Sequence, residues 1–229
     1  MTERGQKKTR RRGADRFVIG VAGGTGSGKT TLTRNIIAAL PAGQVAVLRA
    51  DWYYNDQSGM ALEQRLQQNY DHPDAIEFSL LVRHVQKLRR GQAVDTPRYN
   101  FVTHTRMAET VRVEPCPVII VEGILIFAHE PLRQQFDLRI YVEASADLRL
   151  LRRLQRDITE RGRSLENCID QYLGTVRPMH ETFVEPTKLQ ADIIVPAVQP
   201  NQKATDMIVD MILRRTPERH PRKRTPRRR

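Results

Sequence analysis

The residues Gly23-Gly24-Thr25-Gly26-Ser27-Gly28-Lys29-Thr30 follow directly on the apolar run Phe17-Val18-Ile19-Gly20-Val21-Ala22. A glycine loop ending in lysine and a hydroxyl, set where a strand hands over to a helix, is the pattern of a phosphate-binding P-loop. The glycines let the backbone fold into a concave array of N–H donors, and the helix that follows turns its positive end toward the same anion. That helical run, Thr31 to Leu40, is stopped by Pro41. Gly23 to Gly28, with Thr31, are therefore expected around nucleotide phosphates, with Lys29 on the β- and γ-phosphates. Thr30 is expected to offer its hydroxyl to Mg²⁺, which takes few protein ligands when it travels with a nucleotide.

The remaining apolar pattern suits the fold that such a loop requires. Short β-branched runs recur at Phe17–Ala22, Val45–Arg49, Val118–Val121, Leu138–Val142 and Ile193–Val195, with helical patterns between most of them. Buried parallel strands read as continuous apolar runs, so an α/β fold is expected, a P-loop NTPase-type parallel sheet with helices on both faces. Residues 78, 81, 82, 85 and 88 are apolar at helical spacing, and Gly91 ends that helix. Residues 92–113 break the rhythm: Val94, Tyr99, Phe101, Val102, Val111 and Val113, with Pro97, predict a small antiparallel insertion over the carboxyl edge of the sheet.

Charge bears on partners only once it is divided along the chain. The formal charge is +12 over 229 residues, of which 39% are hydrophobic, enough for one α/β domain with a real core. Residues 1–16 carry seven Lys/Arg against two acids and residues 214–229 nine against one, which leaves 17–213 almost neutral. The segments Lys7-Lys8-Thr9-Arg10-Arg11-Arg12 and Arg222-Lys223-Arg224-Thr225-Pro226-Arg227-Arg228-Arg229 hold almost no apolar residues and read as disordered basic tails around a domain at 17–213. They suit nonspecific contact with RNA or another polyanion, or a solubilising extension, and no aromatic residues interleave the charges. The apolar run at the amino end is cut short by Gly23, and no window approaches membrane-spanning length. Cys116 and Cys168 lack paired metal-ligand spacing, which fits a cytoplasmic protein.

Three groups are expected to converge on the phosphate loop. The run Val118–Val121 delivers Glu122 at a strand end, where folds of this kind keep a ligand of Mg²⁺ or of its waters. Val45–Ala50 delivers Asp51 in the same way, placed to serve an acceptor hydroxyl, although an aspartate after a strand is also an ordinary helix cap. Arg149, Arg152, Arg153 and Arg156 recur at helical spacing after Ser145, with Leu150, Leu151, Leu154 and Ile158 on the side expected to face the core. Arg161 and Arg163 flank Gly162. So many arginines beside a hinge glycine read as a lid over triphosphate, spanning about 149–165, with Arg156 and Arg161 on the phosphates.

Further segments appear in order: Asp51-Trp-Tyr-Tyr, Asn69-Tyr70-Asp71-His72-Pro73-Asp74-Ala75, Pro97-Arg98-Tyr99-Asn100-Phe101-Val102-Thr103-His104-Thr105-Arg106, Val121-Glu122-Gly123-Ile124-Leu125, Arg156 to Ser164, and Gln171-Tyr172. Together they closely resemble the uridine kinase, or uridine–cytidine kinase, family from about Phe17 to Leu213. The resemblance implies transfer of the γ-phosphate of ATP or GTP to the 5′-hydroxyl of uridine or cytidine, in a homotetramer serving pyrimidine salvage. By motif match it implies that Asp51 is the catalytic base, that Thr30, Glu122 and Asp51 attend Mg²⁺, and that Asp71 binds ribose hydroxyls. Tyr99 and His104 fall on base-recognition positions, and Arg153, Arg163 and Gln171 on further nucleoside contacts. The chemistry agrees: a neutral nucleoside needs a carboxylate for its ribose, an aromatic face for its base, and an edge reader such as histidine that meets a carbonyl or an amino group.

Two departures from the family pattern stand out. Gly26 stands where the family commonly has alanine, and Ala197-Val198-Gln199-Pro200 follows Pro196 where the family usually continues Arg-Gly-Gly, which leaves the choice between ATP and GTP open. A phosphoribulokinase or pantothenate kinase relative shares the P-loop but does not account for Tyr99, His104 and the Asp71-His72-Pro73 segment. A nucleotide-gated RNA-binding protein would use the tails and leave Asp51, Asp71 and the arginines without work.

Overall fold

The computed structural model describes residues 16–197 and 201–216. Among these residues are seven strands: β1 Phe17–Ala22, β2 Val45–Arg49, β3 Val94–Asn100, β4 Thr105–Val113, β5 Val118–Glu122, β6 Leu138–Glu143 and β7 Ile193–Pro196. Five of them form one parallel sheet in the order β2-β5-β1-β6-β7. β1 lies at its centre, with Ile19 opposite Ile120 on one side and Leu138 on the other, and all six of its residues are buried. The chain thus reverses direction across the sheet beside β1, which opens a crevice at the carboxyl ends of the strands.

Alternate side chains supply the two cores. Val18, Ile119, Val121 and Tyr141 face α2 (Phe78–Arg89), which buries Phe78, Leu81, Val85 and Leu88 against them. Ile19, Val21, Ile120 and Val142 face α1 (Lys29–Ala39) and the last helix, through Leu32, Ile36, Ile208 and Ile212. Each such side chain removed from water contributes roughly 1.5–3 kcal/mol, so both layers are well anchored.

β3 and β4 form a separate antiparallel hairpin whose register shifts between Pro97 and Tyr99, as expected where proline withholds a donor. Arg106 ties the hairpin down by donating to the carbonyls of Tyr53 (3.1 Å) and Tyr54 (2.7 Å) and to Glu77 (2.8 Å). Arg65 donates to the Thr103 carbonyl at 2.6 Å and holds its tip. Three further helices matter for the site: α3 (Ala146–Arg161), α4 (Leu165–Gln171), which continues through wider π-type turns to Val184, and α5 (Gln202–Arg215).

Two expectations need correction. Leu151 and Ile158 of α3 are exposed at 63% and 40%, whereas Arg149 and Arg153 are buried at 7% and 5%, so the helix is inserted with its arginine face inward. Periodicity separates two faces of a helix, and here the interior it meets is a polar crevice. The tail boundaries also move. Arg16 donates to the Arg89 carbonyl at 3.2 Å, and α5 runs to Arg215, two residues into the basic segment. The rest of both tails, and Val198 to Pro200, lie outside the described residues.

Candidate active site

The P-loop joins β1 to α1, whose N-cap, Gly28, has the left-handed φ of 101°. Gly26 also has positive φ, 73°, and a Cβ there would collide with the Arg149 carbonyl. In this backbone the residue that departs from the family's alanine is one that only glycine fits easily. Lys29 Nζ donates to the carbonyls of Gly23 (3.0 Å) and Gly24 (2.9 Å), folding back over the loop. Burial pushes its pKa down to about 8, against the pull of Asp51 and Glu122.

Around that ammonium stand the groups expected at a metal. Thr30 Oγ1 lies 3.5 Å from Glu122 Oε1, which Arg49 Nε approaches to 3.4 Å. Glu122 ends β5, and burial raises its pKa with Lys29 and Arg49 opposing. Asp51 sits in the short helical turn Ala50–Tyr53 after β2, and that turn has no side-chain cap. Asp51 Oδ1 and Glu122 Oε2 are buried without a hydrogen-bond partner, the state in which a carboxylate oxygen is ready for a cation or a proton.

Beyond the loop, Asp51, Asp71, Tyr99, His104, Arg153, Arg156, Arg161, Arg163 and Gln171 line one cavity of about 50 Å³ together with Thr25. A space of that size is far below the roughly 300–1,000 Å³ of small-molecule pockets, so its walls stand close together here. Asp71 is 8% exposed and its pKa is raised, first by burial, with Arg153 opposing. Tyr99 packs edge-on to Tyr54, Tyr70 and Phe101, and burial raises its hydroxyl. Tyr99 Oη and His104 Nδ1 are buried in the cavity wall with no hydrogen-bond partner.

His104 occupies the hairpin turn with φ of 53°, rare outside glycine, and its ring lies 4.8 Å from that of Tyr70. Burial, with Arg163, Arg161 and Arg65 nearby, pushes the imidazole down to about 4, so it is neutral at pH 7. Arg163 Nη2 stands 3.3 Å from Nε2. A guanidinium only donates, so Nε2 is the acceptor and Nδ1 carries the proton. Gln171 Oε1 receives both Arg153 Nη2 (2.7 Å) and Arg163 Nη1 (2.6 Å), and Arg153 Nη1 reaches Thr25 Oγ1 at 3.3 Å.

A second cavity, about 200 Å³, opens beside Gly28 and Thr31, between α1, the end of β7 and the start of α5. Arg152 Nη2 donates to the Ala197 carbonyl there at 3.0 Å. The two cavities flank the phosphate loop, this one beside Gly28 and the other beside Thr25, Asp51 and Asp71. This arrangement suits a nucleotide on one side, an alcohol acceptor on the other and a carboxylate between them.

Comparison with known proteins decides the family. Residues 18–206 match the model of the Phosphoribulokinase / Uridine kinase family. The chain belongs to that family. The uridine kinase of Staphylococcus haemolyticus is 50% identical over 199 residues, covering 87% of this chain and 96% of that protein. The uridine kinase of Chloroflexus aurantiacus is likewise 50% identical over 196 residues, 86% of this chain and 94% of its own length. Among solved structures, the D-glycerate 3-kinase of Cryptococcus neoformans superposes with a TM-score of 0.57 at 19% identity, covering 76% of this chain and 80% of that one, a likeness of fold alone.

Within this phosphoribulokinase/uridine kinase fold, three features of the site escaped sequence reading. Asp157 is wholly buried among the arginines, Arg149 packs beneath Gly24 and Gly26, and Tyr54 and Tyr70 complete the aromatic wall. Asp157 left one trace, its spacing of four residues from both Arg153 and Arg161.

Proposed function

We propose that this protein phosphorylates uridine and cytidine, moving the γ-phosphate of ATP or GTP to the 5′-hydroxyl and producing UMP or CMP. What carries the reading is the convergence of Asp51, Asp71, Tyr99 and His104 on one cavity beside the phosphate loop, in a chain half identical to uridine kinases along nearly their whole length. Asp71 receives ribose hydroxyls, Tyr99 supports the base, and His104 Nδ1–H reads its edge, with Arg153, Arg163 and Gln171 setting their positions. Asp51 Oδ1 takes the proton of the 5′-hydroxyl as that oxygen forms its bond to the γ-phosphorus and the bond to the bridging oxygen breaks, releasing the diphosphate. Lys29, Arg156 and Arg161 neutralise charge on the phosphoryl oxygens.

The free Oε2 of Glu122 and the Thr30 hydroxyl suit Mg²⁺, which Asp51 would meet through a bound water while its Oδ1 stays free as the base. When bound, the ion neutralises the β- and γ-phosphates. Thr31 and Arg152 border the donor's base. A homotetramer is part of the same proposal, supported by the large apolar side chains that α3, α4 and the turn beyond them leave exposed, Leu151, Ile158, Leu165, Ile169 and Leu173. A cytoplasmic salvage role and loose RNA contact through the basic tails complete it. Among the described residues no helix is long and apolar enough to cross a membrane.

Incubation with Mg²⁺, labelled ATP or GTP, and a panel of uridine, cytidine, purine nucleosides, ribulose 5-phosphate and pantothenate tests the reading. Label in UMP and CMP is expected. Label only in the sugar phosphate or pantothenate arm would overturn it.

A further inference from the structure

Asp157 has no exposed surface, yet four guanidinium groups surround its carboxylate. Arg156 donates to Oδ1 through Nε at 2.8 Å, its Nη2 lies 2.8 Å from the same oxygen, and Arg161 Nη1 reaches it at 3.3 Å. Arg153 Nε and Arg163 Nη1 stand 3.5 and 3.6 Å from Oδ2. Its main chain joins in: the Asp157 carbonyl accepts the amides of Gly162 and Arg163, the turn where α3 ends. Burial works to raise the pKa of this carboxyl, and the arginines, led by Arg156 and Arg161, overcome it and hold it below the usual carboxylate range.

The four arginines divide between two tasks. Arg153 and Arg163 share the Gln171 oxygen and face Thr25 and His104, on the nucleoside side. Arg156 lies close enough to Lys29 to lower its pKa, on the phosphate side, and Arg161 stacks on Phe101 at 4.7 Å. Two carboxylates that the reaction needs free stand within reach of the same cations, since Asp51 acts on Arg161 and Arg153 acts on Asp71. Mobile guanidiniums beside bare carboxylates pair with them. A third carboxylate that receives no substrate occupies those arginines instead.

We propose that Asp157 is a positioning residue that holds the four arginines in one array, keeps them off Asp51 and Asp71, and so links nucleoside binding to triphosphate binding through a single buried carboxylate. The proposal rests on the kinase reading above. Displacing catalytic groups by about 1 Å can cost about a hundredfold, and one anchor here sets four groups at once.

The test is steady-state kinetics and calorimetric ATP binding on full-length Asp157→Asn and Asp157→Glu, with Arg156→Lys and Arg163→Lys for comparison. Arg156→Lys is expected to raise the KM for ATP with little change for uridine, and Arg163→Lys the reverse. Asp157→Asn is expected to raise both, each about tenfold or more, and to lower kcat. Asp157→Glu keeps the charge but moves it by one methylene, and is expected to fold and to raise both by less. If Asp157→Asn does not fold, Asp157→Glu decides. A folded Asp157 variant with both constants within about twofold of wild type, or with only one changed, overturns the proposal. ATP binding without nucleoside reads the arginine array whichever acceptor is used. Failure of the wild type on uridine would therefore sink the kinase reading and leave this arm standing.

Discussion

Removal of the His104 imidazole is expected to change substrate choice more than overall rate. The ring is neutral at pH 7 because its pKa lies near 4, and Arg163 occupies Nε2 as donor, so the atom left for the base is a buried Nδ1–H. Uracil presents a carbonyl at position 4 and cytosine an amino group, and an N–H donor pairs only with the former. Leaving such a buried donor opposite another donor costs about 1–3 kcal/mol, roughly tenfold to a hundredfold in relative kcat/KM. The wild type is therefore expected to favour uridine over cytidine by up to about that range. In His104→Ala the preference should collapse toward unity, mainly through relief of the cytidine penalty, and His104→Tyr should shift it as well. Competition between the two nucleosides in one reaction, with UMP and CMP separated and counted, gives the ratio directly. A second signature follows from the low pKa. Protonation is complete only well below pH 4, so the uridine-to-cytidine ratio should stay flat from about pH 5.5 to 8, whereas a solvated histidine would titrate near 6.5. A ratio unmoved by either substitution, or one that titrates near 6.5, refutes the assignment.

Asp51→Asn is expected to lose about a hundredfold to ten-thousandfold in kcat with nucleoside KM little changed, and near-normal turnover would show that the carboxylate is not the base. Lys29→Ala should abolish transfer while its melting temperature stays close to wild type, since Nζ bonds only two loop carbonyls; an active variant would remove the phosphate role. Deleting residues 1–15 and 217–229 should leave kcat intact and sharply reduce retention on heparin at low salt, and loss of activity would make the tails structural. Leu151→Asp with Leu173→Asp, both exposed apolar residues, should lower the molecular mass seen by light scattering, and an unchanged mass would move the subunit contact elsewhere.

The elements that the residues alone specify are those in which local chemistry leaves little choice. The phosphate loop needs glycines, lysine and a hydroxyl in one order, and parallel strands need unbroken apolar runs, so Phe17–Ala22, Gly23–Thr30 and Val118–Val121 were legible at once. The hairpin was legible too, because Pro97 and the aromatic residues break the helical period. The residues lining the acceptor cavity came from motif resemblance, since no spacing rule joins Asp71 to His104. What only the tertiary structure decided was orientation. The α3 pattern marks an arginine face and a leucine face, and which of them turns inward depends on whether the neighbouring space is apolar core or charged crevice. The burial of Asp157, the orphaned oxygen of Asp51 and the single proton position on His104 all follow from partners distant in sequence. A side chain's type states what it can bond, and only its enclosure determines which of those bonds remain free.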